Sequence, residues 1–203
     1  MSINLQKGQK VNLSKESQEL TRVIVALGWD EAKDTKGKGL LGGLFGVTHN
    51  IDCDASVILL KNGVFENTRK LEDLVYFGHL VHKSRAVVHK GDNLTGAGEG
   101  DDEQIEIDLQ KLPMEYDKLV VFVNIYQAVS RNQDFGMIQN AFIRLVDRNT
   151  GREICRYNLS DGYDGMTAVI FGELYRRNNE WKFSAVGQGT KDPDIVGVIR
   201  RYM

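Results

Sequence analysis

Short apolar runs, rich in β-branched residues and parted by glycine and polar clusters, recur along almost the whole chain. That recurrence constrains the fold more than any other feature, because such runs are strands and the clusters between them are turns. The runs fall at residues 22–28, 55–60, 86–89, 104–109, 119–126, 141–147, 153–159, 168–175 and 181–187. In Gln104-Ile105-Glu106-Ile107-Asp108-Leu109 the apolar residues take every second place, which puts Ile105, Ile107 and Leu109 on one face of a strand. Residues 120–125 are more continuously apolar, as in a central strand buried on both sides. Asn149-Thr150-Gly151 marks the turn of one hairpin and Asn178-Asn179 that of another. Helical signals are short: one turn over 108–112 before Pro113, one over 134–140, and a C-terminal helix after Pro193 with Ile195, Val196, Val198 and Ile199 as its apolar stripe. The reading is all-β, a two-sheet β-sandwich with short helical connections, and 203 residues with 41% hydrophobic content suffice for one such core.

With 26 basic and 28 acidic residues the net charge is only -2, so the basic excess of a nucleic-acid binder is missing and no nucleic acid is expected as partner. Polar residues interrupt any apolar run in the first ten residues, without a secretory apolar core, and no run approaches the ~20 apolar residues of a membrane-spanning helix. The expectation is a cytoplasmic protein with two reduced thiols. Cys53 and Cys155 lack metal-type spacing and read as buried small hydrophobes. His49, His79, His82 and His89 have no third metal ligand beside them and read as surface residues.

The chemistry lies in Gly91-Asp92-Asn93-Leu94-Thr95-Gly96-Ala97-Gly98-Glu99-Gly100-Asp101-Asp102-Glu103. Its carboxylates repel one another unless a cation sits among them. Calcium takes six to eight oxygen ligands, and the glycines let the backbone turn its own carbonyls inward. The run lacks the Gly-Lys-Ser/Thr of a phosphate loop, and its acids would repel a pyrophosphate. It does not match the ligand spacing of an EF-hand. The plainer alternative is a solvated acidic loop. A second acidic pair, Asp52 and Asp54, opens the run at 55–60, and on a strand both point to the same side. A third patch, 161–165, reads as a turn.

Together these segments resemble the TerD-like family of tellurite-resistance and general-stress proteins. The matching residues are Gly28-Trp29-Asp30, Asp52-Cys53-Asp54-Ala55-Ser56, the loop from Gly91 to Glu103, Ala128, Arg131, Phe135 and Gly136, and the closing hairpin with Gly172-Glu173-Leu174-Tyr175-Arg176 and Trp181-Lys182-Phe183. The resemblance covers nearly the whole chain as a single domain, 1–203. It implies a β-sandwich of the TerD type whose end loops bind calcium, with Asp52, Asp54, Asp92, Asn93, Gly98, Asp101, Asp102 and Glu103 as the ligand set. It also implies a role in stress resistance through binding or scaffolding, not catalysis. Met166 stands where many members carry a glutamate, which weakens Asp161 and Asp164 as ligands.

Residues 36–46, with Leu40, Leu41, Leu44 and Phe45 among glycines and lysines, read as a loop folded back on its own domain. The other reading is a loop that meets the inner membrane surface or another stress protein. The alternative function is a metal-dependent hydrolase built on the clustered Asp and Glu residues.

Overall fold

The computed structural model describes residues 3–4, 9–11, 20–31, 51–66, 70–91, 100–159, 162–178 and 180–203. Its strands are β1 (Ile3–Asn4), β2 (Lys10–Val11), β3 (Arg22–Glu31), β4 (Cys53–Leu60), β5 (Leu74–Val75), β6 (Val87–His89), β7 (Glu103–Asp108), β8 (Lys118–Ile125), β9 (Ile138–Asp147), β10 (Glu153–Asn158), β11 (Ala168–Arg177) and β12 (Glu180–Thr190). They form two six-stranded sheets. The first runs β1-β10-β9-β3-β7-β6 and the second β2-β12-β11-β8-β4-β5. All pairings are antiparallel except that of β1 with β10.

The alternation in the sequence sets which faces meet. Ile105 and Ile107 of β7 are fully buried between the sheets beside Val23, Val25 and Leu27 of β3. They face Val121 and Val123 of β8 and Ala55 and Val57 of β4 in the other sheet. Each such side chain contributes on the order of 1.5–3 kcal/mol by leaving water. β8 lies between β11 and β4, and its other face is buried too. There Val120 and Phe122 join Ile58 and Leu60 of β4 in a second core on the outer side of the sheet, beneath Phe65, Val198 and Ile199. That explains the nearly continuous apolar run at 120–125.

The cover of this second core is the C-terminal helix α2 (Ile195–Ile199), continued as a 3-10 turn over Arg200–Tyr202. Its cap, Asp194, accepts the Gly197 N–H at 2.8 Å, and the Tyr202 carbonyl accepts the Phe65 N–H at 2.7 Å. The β9–β10 hairpin turns where expected, with Gly151 at φ +71°, and the β11–β12 hairpin leaves β11 through Asn178 at φ +55°. The expected helical turn over 108–112 is instead hydrogen-bonded turn structure, because the Asp108 carboxylate caps it by accepting the Gln110 and Lys111 N–H groups. A one-turn helix not foreseen in the sequence, α1 (Ala128–Arg131), precedes a 3-10 turn at Phe135–Met137. No helix among the described residues is long and apolar enough to cross a membrane.

Candidate metal centre

Two ends of the acidic loop are described, Gly91 at φ +129° and Gly100 at φ +110°, both backbone states suited to glycine. Asp92, Asn93 and Gly98 of the expected ligand set lie outside the described residues, as do the apolar insert 36–46 and Asp161. The return arm after Gly100 carries three acids in a row, and each faces a different partner. Asp101 turns to the outer face of the first sheet, where the Arg144 guanidinium donates to both its oxygens at 2.8 and 2.9 Å. Asp102 accepts the Trp29 N–H at 3.0 Å across the edge of β3. Glu103 points between the sheets and accepts the Ala55 N–H of β4 at 2.6 Å.

The Gly28-Trp29-Asp30 segment shapes this corner. A Cβ at Gly28 would lie 2.5 Å from the Gly100 carbonyl oxygen and 2.6 Å from the Phe142 ring, so only glycine lets the return arm lie flat on β3. The register of β3 against β9 shifts at this point. Trp29 is buried and its indole N–H donates to the Ile51 carbonyl at 3.0 Å, which ties β3 to the residue leading into Asp52. Asp30 is exposed, accepts from the Asn140 amide at 2.9 Å and acts electrostatically on Asp102.

Asp52 and Asp54 flank Cys53, whose thiol points into the core between the sheets. Asp54 is almost fully buried and pairs in register with Asn124 of β8, whose amide donates to its Oδ2 at 3.4 Å. Burial pushes the Cys53 thiol well above its usual range, and the charges of Asp54, Glu103, Asp52 and Asp102 push it further in the same direction. Four of the expected ligands therefore act electrostatically on one side chain. Burial also raises the Asp102 carboxyl; the Trp29 N–H opposes this, but the like charges of Asp30 and Asp101 add to it.

The donor chemistry fits a hard cation, since every group here offers oxygen. Asn124 gives an observation independent of the acids: it is 3% exposed, and its Oδ1 has no hydrogen-bond partner among the described residues. A buried bare acceptor next to a buried carboxylate suits a cation ligand. Among the described residues no three His, Cys, Asp or Glu side chains form a group able to hold a metal alone.

The histidines differ from expectation. His82 and His89 are buried and His79 is half-buried, with its Nδ1 2.7 Å from the Leu74 carbonyl. His89 Nδ1 accepts the Gly91 N–H at 3.2 Å, so in the neutral ring the proton sits on Nε2, 3.6 Å from Glu103 Oε2. His89 therefore holds the outgoing root of the loop at Gly91 and lies beside Glu103 of the return arm. His82 stands between Ser84, whose hydroxyl donates to Nδ1 at 2.7 Å, and Asp73, which accepts from Nε2 at 3.2 Å. Asp73 also accepts from the Tyr116 hydroxyl at 2.6 Å. This order of groups resembles a nucleophile relay, but Ser84 Oγ accepts the Ala86 N–H, and the Ser84 and Arg85 N–H groups bond His82. Those are the bonds of a pinned turn. Both cysteines are free and buried, as read from the sequence.

Sequence reasoning passed over Arg144 and Asn124. Each lies far along the chain from the acid it touches, and no local pattern marks it.

Comparison with known proteins gives one answer. The model of the TerD domain matches residues 1–202. The stress response protein SCP2 of Bacillus subtilis (strain 168) is 51% identical over 204 residues, covering 100% of both chains. The tellurium resistance protein TerD of Serratia marcescens is 43% identical over 190 residues, covering 93% of this chain and 91% of that one. The crystal structure of a telluride resistance protein (TerD) homologue from Streptomyces coelicolor A3(2) superposes with a TM-score of 0.64 at 18% identity, over 88% of this chain and 98% of that one, and shows the same fold.

Proposed function

The chain belongs to the TerD family of tellurium-resistance and stress-response proteins, and from that premise we propose that it is a calcium-binding module of the stress response that acts by binding and not by catalysis. The observation that carries this reading is that Asp52, Asp54, Asp102 and Glu103 stand at one corner, where the acidic loop leaves and returns, and all act electrostatically on Cys53. Carboxylates that share one corner favour a bound cation over mutual repulsion. Asp52, Asp54 and Asp102 are the described side chains best disposed to ligate, with the Asn124 oxygen beside them. Asp92, Asn93 and the Gly98 carbonyl are the donors expected from the loop. Calcium would order that loop into a surface for a partner, either another stress protein or the inner membrane surface, with the cytoplasm as the site of action.

The test is calorimetric titration of chelator-stripped protein with calcium, using magnesium as control and an Asp54→Asn, Asp102→Asn variant. Micromolar or tighter binding, selective over magnesium and lost in the variant, supports the reading. A flat titration of the wild-type chain overturns it. Calcium at 100 times its Kd should stabilise the fold by about 2.7 kcal/mol through mass action.

A further inference from the structure

The return arm of the loop is fastened to the first sheet through one cation that the protein itself supplies. Arg144 stands on β9, on the face turned away from the inter-sheet core, opposite Ala26 of β3. Its Nε and Nη2 grip Asp101 Oδ1 and Oδ2 in a two-pronged fork, and Gln104 Nε2 donates to Oδ2 at 3.1 Å, so both carboxylate oxygens are engaged. The hydrogen bonds to Asp101 raise the affinity of Arg144 for its proton; burial opposes this and Glu153 adds to it.

Arg144 is itself held. Its Nη1 donates to Glu153 Oε2 at 3.0 Å, and Arg156 donates to the same carboxylate at 2.8 and 3.2 Å. Arg156 lies over the Phe142 ring, 4.0 Å from its centroid, and Phe142 is the ring that borders Gly28. Two arginines and two carboxylates form a neutral group on a rigid sheet. The charge of Asp101 is therefore already balanced by the Arg144 fork.

We propose that Arg144 is a positioning residue for the cation site: it holds Asp101 as a strut that fixes the return arm, so that Asp101 fastens the loop and does not coordinate the ion. This rests on the calcium reading above and departs from the family resemblance, which makes Asp101 a ligand. The two roles predict opposite effects. If Asp101 is a strut, removing Arg144 loosens the arm that presents Asp102 and weakens binding. If Asp101 is a ligand, removing Arg144 frees a carboxylate from a competing cation and tightens binding.

The experiment is calcium titration of the full chain, stripped of metal, for wild type, Arg144→Met, Arg144→Lys, Asp101→Asn and the Arg144→Met, Asp101→Asn double variant. Thermal melts in chelator run alongside. Groups behind a metal ligand typically change affinity by about 10–100-fold when removed. The expected result is a rise in Kd of about tenfold or more for Arg144→Met, a similar rise for Asp101→Asn, and no further loss in the double variant. Arg144→Lys, which keeps the charge but not the fork, should fall between wild type and Arg144→Met. Unchanged or tighter binding in Arg144→Met overturns the strut, as does a much larger loss in Asp101→Asn than in Arg144→Met. If Arg144→Met does not fold in chelator, the ordering of Arg144→Lys against Asp101→Asn decides by the same criterion. Wild-type protein that binds no calcium overturns the calcium reading and the strut together, whereas wild-type binding with an indifferent Arg144→Met overturns the strut alone.

Discussion

Glu103 begins a strand of one sheet and hydrogen-bonds the backbone of the other: its Oε2 accepts the Ala55 N–H at 2.6 Å. The bond meets a local need. β5 pairs with β4 only at Val57 and Ile58, so the Ala55 amide extends beyond the end of its neighbour. Glu103→Ala leaves that buried N–H unsatisfied and should cost about 1–3 kcal/mol. Glu103→Gln keeps an acceptor and should recover most of the loss. Urea unfolding of the metal-stripped variants measures both, and equal stability of Glu103→Ala and wild type would contradict the assignment.

Gly28→Ala places a methyl group 2.5 Å from the Gly100 carbonyl and against the Phe142 ring. The arm must lift or the ring must move. We expect a loss of about 1–3 kcal/mol, in the range of an overpacked core. Calcium affinity should fall in the same variant because the displaced arm carries Asp102. A crystal structure of the variant with the arm unmoved would refute this account.

The Asp73, His82, Tyr116 group should make stability depend on pH in two steps. Burial lowers the His82 ring below its ordinary value of 6.5; Asp73 opposes this, while Lys83 and His79 reinforce it. As pH falls below about 6.5, the unfolded chain takes up this proton before the folded one does, so stability drops until the depressed folded value is reached. Burial would raise the Asp73 carboxyl, but hydrogen bonds from Tyr116, His82 and Lys83 outweigh it and hold the group below the usual carboxylate range. Its contribution, complete above the unfolded value, is lost as pH falls through the lower folded one. Denaturation between pH 8 and 5 should show the first step in wild type and a flatter profile in His82→Gln.

Cys53 should resist alkylation in the folded state. Its thiol is buried, and burial together with four nearby carboxylates disfavours the reactive thiolate. Cys155 is likewise buried. Thiol titration with an aromatic disulfide should find neither group in native protein and two after unfolding. Rapid native reaction would show that the corner around Asp52 and Asp54 opens.

The sandwich was legible because strand periodicity is a local signal. The alternation at Ile105, Ile107 and Leu109 names the buried face, and the mostly apolar run at 120–125 names a strand covered on both sides. The shared side of Asp52 and Asp54 follows from the same period. Burial of His82 and His89 was not legible, because each sits in a short hairpin beside lysines, in Lys83 and Lys90, that read as surface. What buries them is contact with Tyr116 and Glu103, supplied from elsewhere in the chain. The opposed directions of Asp101 and Asp102 follow from an extended backbone. That an arginine waits for Asp101 on β9, 43 positions away, does not.

The place of β3 in the first sheet sets the order in which the molecule can be made. It lies between β7 and β9, so residues 22–31 stay without either neighbour until residues 103–108, and then 138–147, have been synthesised. Trp29 and Gly28 therefore wait for the arm they receive. Closing such distant pairings is slow. The corner that gathers the acids is then one of the last features to mature, and a nascent chain arrested before residue 147 would bind no cation there.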